Sequence, residues 1–241
     1  MILDTIKNSV ILCEDIYAYP GASIITWDYL SQGKVYWGLK RANNENYICF
    51  RGSTTLQDWL RDFNAVANPF IHDKLGPIHP GFWDGMSQAW TEIKSKVTSN
   101  IVFTGHSLGS GEVDVASGLA ILDNINPIAK IGFGSPKAGF KQLGQMLKNI
   151  PDFCFRNTNG ILWDLITSMP FTFYPEEYQH TAPLFNVCAA PPAYDEWGVF
   201  SWHHIQLYKQ AILNLTEARM NAHSNITIKM KDAYYNASKP E

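Results

Sequence analysis

The stretch Ile101-Val102-Phe103-Thr104-Gly105-His106-Ser107-Leu108-Gly109-Ser110-Gly111 decides how the rest of the chain is read. Its first three residues predict a short buried strand, and a helical pattern follows over about 108–123. Between them the backbone must turn within a few residues. Such a turn needs small residues two before and two after its apex, and Gly105 and Gly109 stand there. Ser107 is then expected at a strained apex with its hydroxyl presented outward. The N-terminus of the next helix points its partial positive charge at any oxyanion formed beside that serine. Gly-x-Ser-x-Gly alone is a common pattern and fits an ordinary β-α turn. With a strand before it and a helix after it, Ser107 becomes a candidate nucleophile, and the backbone N–H of Leu108 a candidate oxyanion donor.

Working outward, residues 1–19 carry Ile2, Ile6, Val10, Cys13 and Tyr17 at helical spacing, closed by Pro20-Gly21. Strands are expected at 34–40 and 46–52, joined by a turn at Ala42-Asn43-Asn44-Glu45. A helix is expected over 83–98. After the central stretch come a strand at 130–134, a helix near 138–149 and a strand at 152–155. Strands alternating with helices imply an α/β fold, with a mostly parallel central sheet and helices on both faces. The segment 157–200 has no clear period and is long for a loop, so part of it is expected to carry function. A helical pattern returns over 200–219. No repeat or linker divides the chain, and 1–241 is expected to be a single domain.

Composition excludes little but agrees. An apolar content of 46% in 241 residues suffices for one large core. The net charge of −3 gives no reason to expect nucleic acid as a partner. The four cysteines Cys13, Cys49, Cys154 and Cys188 form no Cys-x-x-Cys pair, so neither a zinc site nor a disulfide framework is implied. No metal or organic cofactor is expected. The start of the chain lacks a basic region followed by an apolar run, which favours the cytoplasm over secretion. Asn214, Asn225 and Asn236 begin glycosylation sequons, relevant only to a secreted chain.

Thr104-Gly105-His106-Ser107-Leu108-Gly109 resembles the nucleophile elbow of the class 3 lipases, a family of the α/β-hydrolase superfamily. Other blocks match in the same order. Phe50-Arg51-Gly52-Ser53, with Asp58-Trp59 and Asp62, resembles the oxyanion-loop and lid segment. His79-Pro80-Gly81-Phe82 and Phe133-Gly134-Ser135-Pro136-Lys137 are similar to two further family segments. Arg156, Asn159, Asp164 and Pro170 resemble its acid-bearing loop. The resemblance covers about 50–208. It departs where Ser110, Glu112 and Asp114 replace small apolar residues after the elbow. It departs again where Gly160 to Trp163 lengthen the acid loop, and where histidine is doubled at His203-His204. Carboxylates at 112 and 114 oppose an oxyanion unless they point away from it.

A neutral serine needs a base within hydrogen-bond reach and an acid to orient that base. In this fold type the order along the chain is serine, acid, histidine. His180, His203, His204 and His223 follow Ser107. The family spacing His, any residue, Ile, two residues, Tyr favours His203 through Ile205 and Tyr208, with His204 as the competitor. Among Asp152, Asp164 and Asp195, the family pattern of Asp, two apolar residues and Pro six positions on favours Asp164. The resemblance implies Ser53 as the second oxyanion donor; Ser53 also suits a helix N-cap. Leu56, Trp59, Leu60 and Phe63 form one apolar helical face, which reads as core or, by the resemblance, as a mobile lid. The function implied is hydrolysis of lipid carboxylic esters through an acyl-serine, with transient contact at a lipid interface. A carboxylesterase or phospholipase with the same triad, and a catalytically degenerate hydrolase fold used for binding, are the competing readings. The sequence leaves the oligomeric state open.

Overall fold

The computed structural model describes residues 2–19, 21–54, 69–170, 178–191 and 198–222. Helix α1 spans Ile2–Ala18, and the strands β1 Tyr29–Gln32, β2 Tyr36–Ala42 and β3 Glu45–Phe50 follow. Asn43 and Asn44 both take positive φ (53° and 62°), which lets two residues close the β2–β3 hairpin. A short hairpin, β4 Phe70–His72 and β5 Gly76–Ile78, leads into helices α2 Pro80–Trp83 and α3 Met86–Lys94. Then come β6 Ile101–His106, α4 Leu108–Leu122, β7 Ala129–Phe133, β8 Gly139–Phe140, α5 Lys141–Leu147 and β9 Asp152–Asn157. The last elements are a 3-10 turn at Leu165–Ser168, β10 Tyr178–Gln179, β11 Leu184–Val187, a 3-10 turn at Gly198–His203, α6 Ile205–Leu213 and α7 Glu217–Ala222.

Among the described residues the main sheet runs β1-β2-β3-β6-β7-β9-β11. β3, β6, β7, β9 and β11 are parallel neighbours, while β1 and β2 are antiparallel at one edge. Both faces are covered, because alternate side chains of the central strands enter different cores. Ile48, Phe50, Ile101 and Phe103 join the cluster under α3 and α4. Tyr47, Cys49, Val102 and Ile131 join the one under α1 and α6. This doubly buried sheet explains why the central strands read as unbroken apolar runs. β10-β8-β5-β4 form a second, small sheet. The helix expected over 83–98 divides at Gly85, which takes φ 83°. β1 and β11 add strands at the two edges that the sequence pattern does not predict. The four cysteines are free; Cys188 is exposed and the others are buried. No described helix is long and apolar enough to cross a membrane.

Candidate active site

The parallel strands end along one edge of the sheet, where Ser53 follows β3, Ser107 follows β6 and the loop bearing Asp164 follows β9. Ser107 follows β6 directly, with φ 60° and ψ −130°. L-residues rarely adopt this backbone, and it persists only where the surroundings over-determine it. Here the Ser107 N–H donates to the Phe133 carbonyl at 3.0 Å, while Ser110 N–H donates to the Ser107 carbonyl at 2.9 Å. The two glycines are needed for contact. A Cβ on Gly105 would lie 2.3 Å from the Gly109 carbonyl oxygen, and one on Gly109 would lie 2.3 Å from that of Phe50. A side chain at either position would force strand, turn and helix apart. A Cβ on Gly52 would meet the Ser107 Cβ at 3.0 Å, so the Phe50–Ser53 segment passes against the turn. Leu108 is the first residue of α4, and Ser53 is the next residue after Gly52.

Asp164 and His203 meet although they are 39 residues apart: Nδ1 of His203 lies 2.6 Å from Oδ2 of Asp164. Both are buried. The Asp164 carboxylate accepts two more hydrogen bonds, one from Tyr208 Oη to Oδ2 (2.6 Å) and one from the Ile166 N–H to Oδ1 (2.9 Å). Asp164 thus caps the 3-10 turn that follows it, and the cap fixes the carboxylate's orientation. Nδ1–H of His203 is the donor toward Asp164, which leaves Nε2 as the ring's acceptor. That nitrogen is buried and has no hydrogen-bond partner. Among the described residues no hydrogen bond joins it to Ser107. The His203 ring stacks on that of His106, the residue before Ser107, with centroids 4.6 Å apart.

Four side chains outside the expected set, Tyr17, His106, Asn157 and Tyr208, hold this arrangement. His106 bridges Oη of Tyr17 (3.0 Å) and the carbonyl of His203 (2.8 Å). Burial, and next the proximity of His203, push the His106 imidazole well below its ordinary range. A neutral His106 places no positive charge against the His203 ring. Asn157, at the end of β9, donates to the carbonyls of Ala189 and Trp202 (2.9 and 3.2 Å) and so pins the backbone next to His203. Tyr208 accepts from the Asn157 N–H at 3.1 Å while donating to Asp164. The His-x-Ile-x-x-Tyr spacing at 203–208 was the available signal for Tyr208. Nothing in the sequence marks Tyr17 or Asn157, whose partners are distant in the chain.

The competing residues sit elsewhere. His204 caps α6. His180 Nε2–H donates to the Thr167 carbonyl at 2.7 Å. Asp152 pairs with Lys130 at 2.7 Å. Asp195, His223 and the apolar face at 56–63, with Asp58, Trp59 and Asp62, lie outside the described residues. The two acidic residues of α4 do not confront an oxyanion with negative charge. Asp114 pairs with buried Lys130 at 2.5 Å. The Glu112 carboxyl is buried with Oε2 unpartnered, and burial raises its pKa well above its ordinary range, which favours the uncharged form. Among the described residues no cluster of three or more His, Cys, Asp or Glu side chains could hold a metal.

Known proteins share this frame. The family model described as Lipase (class 3) matches residues 47–174. The chain is similar to a protein named secreted mono- and diacylglycerol lipase 1 from Fusarium solani, 25% identical over 164 residues. The match covers 65% of this chain and 48% of that relative, so it spans about half the relative's length. Among solved structures, the mono- and diacylglycerol lipase from Aspergillus oryzae superposes with a TM-score of 0.61 at 18% identity, covering 80% of this chain and 82% of that one. The triacylglyceride lipase of Rhizomucor miehei gives 0.58 at 17% identity, covering 76% and 79%. At these identities the structural likeness carries the α/β-hydrolase fold. The preference for the cytoplasm is overturned, because the curated relative is by name a secreted protein. A sequence pattern at the start of the chain was its sole basis. With the family model matching more than half of its residues, the chain belongs to the class 3 lipases.

Proposed function

We propose that this chain hydrolyses lipid carboxylic esters through an acyl-serine intermediate, with Ser107 as nucleophile, His203 as base and Asp164 as the orienting acid. One observation carries the proposal. The strained turn at Ser107 stands beside a histidine whose Nδ1 is tied to a buried carboxylate and whose Nε2 is unpartnered. An idle buried acceptor costs stability, and its retention is explained by a proton it must take. In this reading His203 Nε2 takes the Ser107 proton as Oγ attacks the ester carbonyl. The N–H groups of Leu108 and Ser53 hold the oxyanion. His203 then protonates the departing alcohol, and water repeats the sequence on the acyl-serine. The raised pKa of Glu112 and the Lys130 partner of Asp114 weaken the feature that favoured a binding-only hydrolase fold. Acylglycerols are the ester class in the relatives' names, and we assign the same class here. We also read residues 1–241 as one catalytic domain.

The test is a series of glycerol esters of increasing acyl length, offered below and above their solubility limit, with Ser107→Ala as control. Turnover that rises on aggregated long-chain ester and vanishes in the variant is expected. Turnover confined to dissolved short esters would replace lipase with plain esterase. Turnover that survives in the variant would remove Ser107 from the mechanism.

A further inference from the structure

The loop from Thr158 to Trp163 carries the largest continuous run of exposed apolar side chains among the described residues. Ile161 is 79% exposed, Leu162 48% and Trp163 41%. It is the segment by which this chain departs from the family pattern in its acid loop. It leaves the end of β9 on the sheet edge that carries Ser107, and Asp164 follows Trp163 directly.

The loop is built, not slack. Asn159 Oδ1 accepts the N–H groups of Ile161 and Leu162 at 2.9 and 2.7 Å. Thr158 Oγ1 accepts from the Gly160 N–H (2.9 Å) and donates to the Leu162 carbonyl (2.8 Å). The Asn159 N–H donates to that same carbonyl at 3.1 Å, and the Asp164 N–H donates to Asn157. At the base, Trp163 Nε1–H reaches Ser168 Oγ at 3.3 Å. Two polar side chains therefore pair the N–H groups of Gly160, Ile161 and Leu162 internally, while the apolar side chains of the tip face solvent. Water rewards neither choice. An apolar medium rewards both, because backbone groups entering it must already be paired. From 157 to 170 the only charged residue is Asp164, and it is buried. An uncharged tip matches an uncharged ester surface. A protein partner fits less well, since a stable interface needs about 800 Å² from each side and one such tip cannot supply it.

We propose that Ile161, Leu162 and Trp163 form an interfacial anchor that inserts into a neutral lipid surface beside the active site. The anchor sets the catalytic edge of the sheet against aggregated substrate, with Trp163 at the headgroup boundary. The proposal rests on the lipid-ester reading above, but its test does not depend on turnover. Vesicles of ether-linked phosphatidylcholine, which cannot be hydrolysed as carboxylic esters, report binding alone. The parent is expected to sediment with them. The double variant Ile161→Ser, Leu162→Ser is expected to bind about 10- to 100-fold more weakly, from the apolar area lost. Its kcat/KM on a dissolved short-chain ester should stay at the parent's value. As a second measurement that leaves the tip intact, brominated chains should quench part of the parent's tryptophan fluorescence, and Trp163→Phe should remove that part. Equal vesicle binding by parent and double variant overturns the proposal. So does a parent that does not bind vesicles, or a parent that self-associates through the tip without binding them. Loss of dissolved-ester turnover in the double variant overturns it too, by making the loop a support for Asp164 alone. If vesicle binding falls as expected while no ester is ever turned over, the anchor stands and the catalytic reading fails.

Discussion

Asp164 receives three donors, from His203, Tyr208 and Ile166, so its two oxygens are fully committed to orientation. An amide at this position can turn its NH₂ toward His203 and impose the wrong tautomer on the ring. Asp164→Asn should therefore lower kcat about 1,000- to 10,000-fold while thermal stability changes little. Steady-state rates on a dissolved ester, paired with a melting curve, check this. Near-parental turnover would move the acid elsewhere and leave the buried pair a packing device. His203 was legible as the favoured histidine because the family spacing reaches Tyr208. The reason for that spacing becomes visible in the fold. One turn of α6 brings the Tyr208 hydroxyl back onto the carboxylate that His203 binds.

At the scale of elements, α4 is tied to the sheet by charge as well as by packing. Lys130 on β7, 1% exposed, stands between Asp114 of α4 and Asp152 at the start of β9. Thr181 adds hydrogen bonds to all three. Lys130→Met removes the one cation and leaves two buried carboxylates facing each other. The cost should be about 3–5 kcal/mol, read from denaturant unfolding at neutral pH. A loss under 1 kcal/mol would mean that the carboxylates protonate readily or reach water. In the sequence, Lys130 opens the strand expected at 130–134, and Asp114 stands where the family pattern has a small apolar residue. Each is explained by the other, 16 residues away, and a pattern of local periodicity cannot pair them. β6, β7 and β9 were legible because burial on both faces leaves an apolar run. β1 was not, since an edge strand reading Tyr-Leu-Ser-Gln carries little alternation. β8 and β10 are two residues each, too short for any period.

For the molecule as a whole, two buried groups tilt the pH dependence of stability in opposite directions. Burial raises the Glu112 pKa above the ordinary 4.5 in the fold, which favours its protonated form. The unfolded chain gives up that proton first. The stability it supplies is complete below the ordinary carboxylate range and falls as pH rises toward the folded value. His106 works the other way: its pKa is lowered from 6.5, and the unfolded chain takes up a proton that the folded one refuses as pH falls. Glu112→Met keeps the shape and removes one of these slopes. The gain in stability over the parent should grow by about 1.4 kcal/mol per pH unit across the lower part of this window. Urea midpoints from pH 4 to 8 measure it. A gain that does not change with pH would show that Glu112 ionises in the folded protein.

Ser107 is the proposed nucleophile, activated by the turn it occupies and the histidine beside it. That role is tested most directly by treating the protein with a fluorophosphonate and mapping the adduct by peptide mass. One stoichiometric adduct is expected, on Ser107, formed rapidly by the parent and absent from Ser107→Ala and from His203→Ala. An unreactive parent, or an adduct that forms equally well in Ser107→Ala, would contradict it.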